Sequence, residues 1–194
     1  MTVDPVPVVF IAGMGRSGST LLDRMLGQLP GWWSLGEVVH LWQRGVIDNE
    51  LCGCGKAFSD CPVWTRIGEA GFGGWDRFDA PGALRLKESV ERDRFIPLLL
   101  RPGTRPAFQR RLASYQAILS RLHHGVREAT GATVVVDSSK HVSAALALRQ
   151  NPDVDLHVVH LVRDSRGVAY SWAKQVGRPA TGDTTLMTLS LIHI

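Results

Sequence analysis

Apolar residues fall into two kinds of run along the chain. Val8 to Ala12, Thr133 to Val136 and LHVVHLV (Leu156 to Val162) are short, continuous and rich in β-branched residues. Such runs read as strands, the first two as buried ones. Elsewhere apolar residues recur at helical spacing. One such helix starts near Ser19, with Leu21, Leu22, Met25, Leu26 and Leu29 on its apolar face, and Pro30 and Gly31 stop it. Two long amphipathic helices are predicted at about Pro81 to Leu100 and about Pro106 to Thr130, separated by the breaker RPGTRP, and a shorter one at about Ser143 to Gln150. Strands alternating with helices predict an α/β fold around a parallel sheet. Gly31 to Gly131 is too long and too helical for a simple crossover and reads as an insert, Gly-rich and irregular from Ala70 to Asp79.

The first strand runs into a loop with glycines at Gly13, Gly15 and Gly18, immediately before the helix at Ser19. Glycines let the backbone turn tightly beside an anion, and the helix N-terminus presents unpaired N–H groups to it. Gly13 to Thr20 nearly reproduces GxxxxGK(S/T), with Ser19 where the lysine belongs. A kinase or NTPase uses that lysine on the outer phosphates. Its absence argues against phosphoryl transfer, and Arg16 puts a different cation in the loop.

The second strand ends in the polar run Asp137, Ser138, Ser139, Lys140 and His141. Strand C-termini of an open parallel sheet face the ligand, so this run is expected to face the loop. Asp137 also mimics a Walker B carboxylate and keeps an NTPase reading open. Arg163 closes the third strand, and Ser171 lies eight residues later on the following helix. They can converge on one anion; the structural alternative is an Arg163–Asp164 ion pair. Glu37, between Gly36 and an apolar run, begins a short helix or loop folding back over the glycine loop. It is either a general base or an ordinary first-turn glutamate.

Composition narrows the picture. The 194 residues carry 44% hydrophobic side chains, enough for one domain with a core. A net charge of +4, with cations mostly Arg, favours an anionic ligand weakly. No basic run or interleaved aromatic pattern points to nucleic acid, no apolar run reaches membrane-spanning length, and Met1 to Pro7 lacks the features of a signal peptide. Cys52, Cys54 and Cys61, an odd number, suggest a reducing cytoplasm. Their C-x-C spacing suits a metal or a disulfide, but the three are one short of a closed zinc site, and His40 as the fourth is speculation. They are read as reduced thiols in a compact knuckle, with no metal. The tryptophans at 32, 33, 42, 64 and 75 are expected in the core, with an acceptor-pocket wall as the alternative for a few, and the His123–His124 pair on a solvated face.

Two separated motifs then match one family. GMGRSGSTLLDRML resembles the 5′-phosphosulfate loop of sulfotransferases that use 3′-phosphoadenosine 5′-phosphosulfate (PAPS), and HLVRDSRGVAYSW resembles their 3′-phosphate motif. The resemblance implies a three-layer P-loop-like α/β fold: a central parallel sheet flanked by helices, with a helical insert at 31–131. It implies sulfuryl transfer from PAPS, without a metal, to a hydroxyl or amine of a small-molecule, carbohydrate or lipid acceptor. Carried onto this chain, Gly15, Arg16, Ser17, Gly18, Ser19 and Thr20 bind the 5′-phosphate, and Arg163 and Ser171 the 3′-phosphate. Arg16 neutralises the departing phosphate and Lys140 assists; Glu37 or, second, His141 is the base. A kinase-like enzyme and a non-catalytic nucleotide-binding fragment are the alternatives. Elements that the family carries after Trp172 are missing, and the last six residues, LSLIHI, match a translated transposon-end adapter. The expectation is a domain incomplete at its C-terminus, truncated near Thr188, with a non-native tail at 189–194.

Overall fold

The computed structural model describes residues 4–103 and 105–173. The tail at 189–194 and the proposed truncation near Thr188 lie outside these residues. Four parallel strands, β1 (Val6–Gly13), β2 (Trp32–Ser34), β3 (Val134–Lys140) and β4 (Val154–Leu161), form one sheet in the order β2-β3-β1-β4. Seven α-helices are described: α1 (Ser19–Leu26), α2 (Pro62–Phe72), α3 (Ala80–Val90), α4 (Ile96–Leu99), α5 (Pro106–Thr130), α6 (Val142–Arg149) and α7 (Ser165–Ala173). Val6, Val8, Phe10 and Val135, none exposed by more than a trace, join Leu112, Tyr115, Leu119 and Leu122 of α5 in one core. Central parallel strands are covered on both faces, which is why they are continuous apolar runs.

The expected 31–131 insert is not wholly outside the sheet. Trp32–Ser34 supplies its edge strand, paired with Val134–Val136. Three residues are too few to show a period, so β2 has no signature of its own. The single helix expected over 81–100 is broken: α3 ends at Val90, and a 3₁₀ turn (Asp93–Phe95) leads into α4, where Pro97 is tolerated in the first turn. α2 and the 3₁₀ turn Trp75–Arg77 occupy much of the stretch read as irregular. Gly68 and Gly71 sit inside α2 because a Cβ at either would strike Trp75 or the Arg121 carbonyl.

α1 is turned differently from its expected amphipathic setting. Ser19 and Asp23 are buried, while Leu21, Met25 and Leu29 are exposed. Asp23 accepts a 2.6 Å hydrogen bond from Ser34 on β2, so a polar strip of the sheet fixes the rotation of the helix. Among the described residues no strand covers the outer edge of β4, where Val158 and Val159 are exposed. No described helix is long and apolar enough to cross a membrane.

His123, expected on a solvated face, is fully buried on the inner face of α5, and neither ring nitrogen has a hydrogen-bond partner. Burial, with a smaller contribution from His124, pulls its pKa down to about 4. The folded state therefore refuses a proton that the unfolded chain accepts below about pH 6.5, and stability falls as pH drops from there to about 4. Between about pH 7.5 and 4.5 this histidine costs about 2–3 kcal/mol. His123→Leu is expected to remove that part of the loss in denaturant titrations at the two pH values. Asp137, raised to about 7 by burial, acts with the opposite sign over this range but is common to both proteins. A variant that loses stability in parallel with wild type contradicts the assignment.

Candidate functional site

The site lies at the C-terminal ends of β1, β3 and β4. Gly13 ends β1 at φ 146°, and a Cβ there would stand 2.5 Å from the Leu161 carbonyl oxygen, so only glycine lets the loop pass β4. Gly18, at φ 101°, is the N-cap of α1 and supplies no side-chain cap. The first N–H groups of α1 have no partner within the helix, as at any helix start. Beside them the Ser17 hydroxyl is buried without a hydrogen-bond partner. An uncapped helix start and an orphaned hydroxyl in a glycine cradle fit a bound phosphate.

Arg16 sits in the left-handed region at φ 67°, and its Nε donates to Ser171 Oγ on α7 at 3.0 Å. Arg163 Nη1 donates to the Arg16 carbonyl oxygen at 3.0 Å. The two motifs, about 150 positions apart in sequence, thus meet at one place. The Arg163–Asp164 ion pair is not formed: Asp164 pairs with Arg166 instead, at 3.3 Å. Trp172 closes the other side of the loop, its indole 3.0 Å from where a Gly15 Cβ would stand.

On the opposite wall, β3 carries an irregularity. Phe10 pairs with Asp137 but Ala12 with Lys140, so β3 holds one extra residue there, and Lys140 adopts φ 69°. Such a bulge re-aims a side chain. Here it brings Lys140 Nζ onto Glu37 Oε1, with a second hydrogen bond of 3.0 Å to the Ser138 carbonyl. Glu37 is delivered by Gly36, which leaves β2 at φ 69° and accepts from Ser138 N–H through its carbonyl at 2.8 Å. A 3₁₀ turn (Val38–His40) follows Glu37, with His40 Nε2 3.4 Å from Glu37 Oε2. Burial alone would push Glu37 up, but the His40 and Lys140 contacts outweigh it and hold the carboxyl at about 2. Burial lowers the pKa of His141, leaving the imidazole neutral at pH 7.

One cleft of about 690 Å³ takes in Gly13, Gly15, Glu37, Lys140, His141 and Trp172. A second pocket of about 340 Å³ adjoins it across Glu37, His40 and Arg44 and is lined by Leu41, Phe58 and Trp64. Glu37 therefore stands between a phosphate-type cradle and a mostly apolar recess. Arg44 belongs to a π-helical segment (Leu41–Ile47), a form that recurs at functional sites.

Asp137 does not face the loop. It is buried on the opposite face of β3, beside Glu91, Tyr115 and Leu148, and accepts hydrogen bonds from the Ser139 N–H and hydroxyl. The Walker B analogy fails by strand alternation, since Ser138 and Lys140 point to the loop side and Asp137 and Ser139 away. Ser139 has its own task, accepting the Val39 N–H at 3.0 Å and so anchoring the turn that carries His40. Sequence reasoning left His40, Arg44 and Trp172 out of the site. His40, three residues after Glu37 at the start of a helical turn, was the one with a readable signal. It does not join the cysteines.

Comparison with known proteins gives a family model described as "Sulfotransferase family", which matches residues 7–188. No curated protein and no solved structure matches the chain.

Proposed function

The chain belongs to the sulfotransferase family, and from that premise we propose that it transfers a sulfuryl group from PAPS to a hydroxyl or amine of an acceptor. The observation that carries this reading is the meeting of Arg16, Arg163 and Ser171 around the uncapped start of α1. A single phosphate needs only the loop. A second basic and hydroxyl-bearing element beside it suits a nucleotide carrying phosphates at both the 5′ and 3′ positions.

In this reading Gly15, Arg16, Ser17, Gly18, Ser19 and Thr20 hold the 5′-phosphate through N–H groups and hydroxyls. Arg163 and Ser171 hold the 3′-phosphate. The nucleotide supplies the sulfuryl group and leaves as 3′,5′-diphosphoadenosine. Glu37 accepts the proton of the acceptor while the new oxygen–sulfur (or nitrogen–sulfur) bond forms and the old sulfur–oxygen bond breaks. Arg16 and Lys140 stabilise the charge gathering on the phosphate oxygen that takes the electron pair. No metal is required for this bookkeeping of charge. The recess beside Glu37 receives the acceptor, a small molecule, carbohydrate or lipid, with Trp64 and Phe58 as its walls. The odd number of cysteines favours a reducing, cytoplasmic setting.

The kinase-like alternative loses ground, because Ser19 replaces the lysine and Asp137 is turned away from the loop. Incubation of the full chain with sulfur-labelled PAPS and a panel of hydroxyl and amine acceptors tests the proposal. Labelled acceptor with stoichiometric 3′,5′-diphosphoadenosine is expected. Binding of the diphosphate without label on any acceptor would identify a non-catalytic nucleotide-binding module instead.

A further inference from the structure

Between the π-helical segment and α2 the chain closes a small hairpin whose sulfurs have no part in the proposed proton or sulfuryl transfer. Leu51 and Ala57 form an antiparallel bridge, Cys52 N–H donates to Lys56 O at 2.7 Å, and Gly55 N–H donates to Cys52 O at 2.8 Å. Gly55 permits the turn at φ 84°. The hairpin is tied down at both ends: Phe58 N–H donates to Glu50 O at 3.0 Å and Ser59 N–H to Asn49 Oδ1 at 2.8 Å. Its effect is to gather three sulfurs. The Sγ atoms of Cys52, Cys54 and Cys61 all lie within 4.8 Å of one another, and all three are free thiols.

Two features prepare these sulfurs for more than packing. The Cys54 N–H is directed at the Cys52 sulfur and the Lys56 N–H at the Cys54 sulfur, each two residues back along the chain. N–H groups aimed at sulfur in this way are a geometry that suits a metal-bound sulfur and orients it. Cys61 is the N-cap of α2, with Pro62 at the first helical position, so the rigid start of an eleven-residue helix fixes where the third sulfur stands. Tetrahedral zinc with Zn–S bonds of about 2.3 Å sets sulfurs about 3.8 Å apart. That spacing falls inside the observed limit. A disulfide cannot use all three.

We propose that Cys52, Cys54 and Cys61 bind one Zn²⁺ as thiolates, with a water or other small exogenous donor in the fourth position. Binding exchanges three S–H protons for three Zn–S bonds and involves no change of oxidation state. Soft thiolate donors select zinc over magnesium or calcium. Among the described residues the cluster has three members, and His40, once a conceivable fourth, is held toward Glu37. Because Leu51, Cys52 and Gly53 also line the recess beside Glu37, the ion stiffens one wall of that recess. The inference rests on the cysteine geometry and is independent of the transfer reaction.

The full chain, expressed with zinc in the medium and purified without chelator, is expected to carry one zinc per chain by elemental analysis. Replacement by Co²⁺ is expected to give a thiolate-to-cobalt charge-transfer band. Cys54 is exposed, so Cys54→Ser leaves the core intact and is expected to weaken zinc binding at least about tenfold. Cys61→Ser is expected to do the same. A folded wild-type protein that purifies without zinc and gives no charge-transfer band with Co²⁺ overturns the proposal. So do a disulfide between two of the cysteines and a Cys54→Ser variant with unchanged zinc affinity.

Discussion

Glu37→Gln is expected to lower kcat by about two to four orders of magnitude, the range for loss of a positioned general base, with little change in donor affinity. The substitution preserves shape and keeps a hydrogen-bond acceptor for Lys140, so the loss reports proton transfer rather than collapse of the cleft. A carboxyl held at about 2 is a weak base at rest. Its two restraints are cations or potential cations, Lys140 and His40, and an anionic donor in the cleft competes for both. In the proposed mechanism Glu37 recovers basicity as Lys140 turns to the donor. The pH profile separates the two candidate bases. Glu37, already ionised in the free enzyme, gives no acid limb in kcat/KM between about pH 5 and 7. A neutral His141 must lose activity as it is protonated below about pH 6.5, and burial moves that limb lower still. An acid limb in this window, removed by His141→Ala and retained in Glu37→Gln, would transfer the role to His141.

Arg16→Asn is expected to reduce the transfer rate by about two to three orders of magnitude, as for removal of one preorganised group that stabilises developing charge. Asparagine is the informative replacement because residue 16 sits at φ 67°. Asn tolerates that region and eases the backbone cost the arginine already bears, whereas alanine would keep it, so a loss in Arg16→Asn cannot be put down to the backbone. The Arg16 carbonyl, which receives Arg163 Nη1, is also retained. The expected signature is a fall in kcat larger than the fall in affinity for 3′,5′-diphosphoadenosine, measured by single-turnover kinetics and titration. Equal losses in both would make Arg16 a binding group with no separate part in the transition state.

The parts of this fold that announce themselves are the ones whose local signals agree with their tertiary setting. Val8 to Ala12 is apolar on both faces because both faces are covered, and the Gly13–Gly18 loop reads directly as a strand-to-helix turn beside an anion. α5 was found to the residue, since Pro106 and Gly131 mark its ends and no neighbour overrides its period. β2 was lost because an edge strand of three residues leaves no pattern. The rotation of α1 was lost for a different reason: Ser34 and Asp23 form a buried polar pair that no helical wheel anticipates. His123 carries a polar ring that points to a solvated face, yet it falls on the buried stripe with Leu119 and Val126, and position outweighs side-chain chemistry there.

The candidate site divides in the same way. Arg16, Arg163 and Ser171 could be named from two motifs, and the structure brings them together. Lys140 could be placed at a strand end, but its meeting with Glu37 depends on the β3 bulge and on Gly36, which are backbone features with no composition signature. Asp137 shares the polar strand end with Lys140, but strand alternation turns it to the buried face.

The central claim is a two-phosphate site, and it is tested most directly by calorimetric titration of the full chain with 3′,5′-diphosphoadenosine and with 5′-AMP, in wild type and in Arg163→Ala. Arg163 also holds the Arg16 carbonyl, so the variant will weaken both ligands through the loop. The ratio of the two affinities removes that common effect. A charge-assisted hydrogen bond to the 3′-phosphate is worth about 1.5–3 kcal/mol, so wild type is predicted to prefer the diphosphate by at least about tenfold and Arg163→Ala to lose that preference. An unchanged ratio in the variant, or no preference in wild type, would contradict the assignment of the 3′-site.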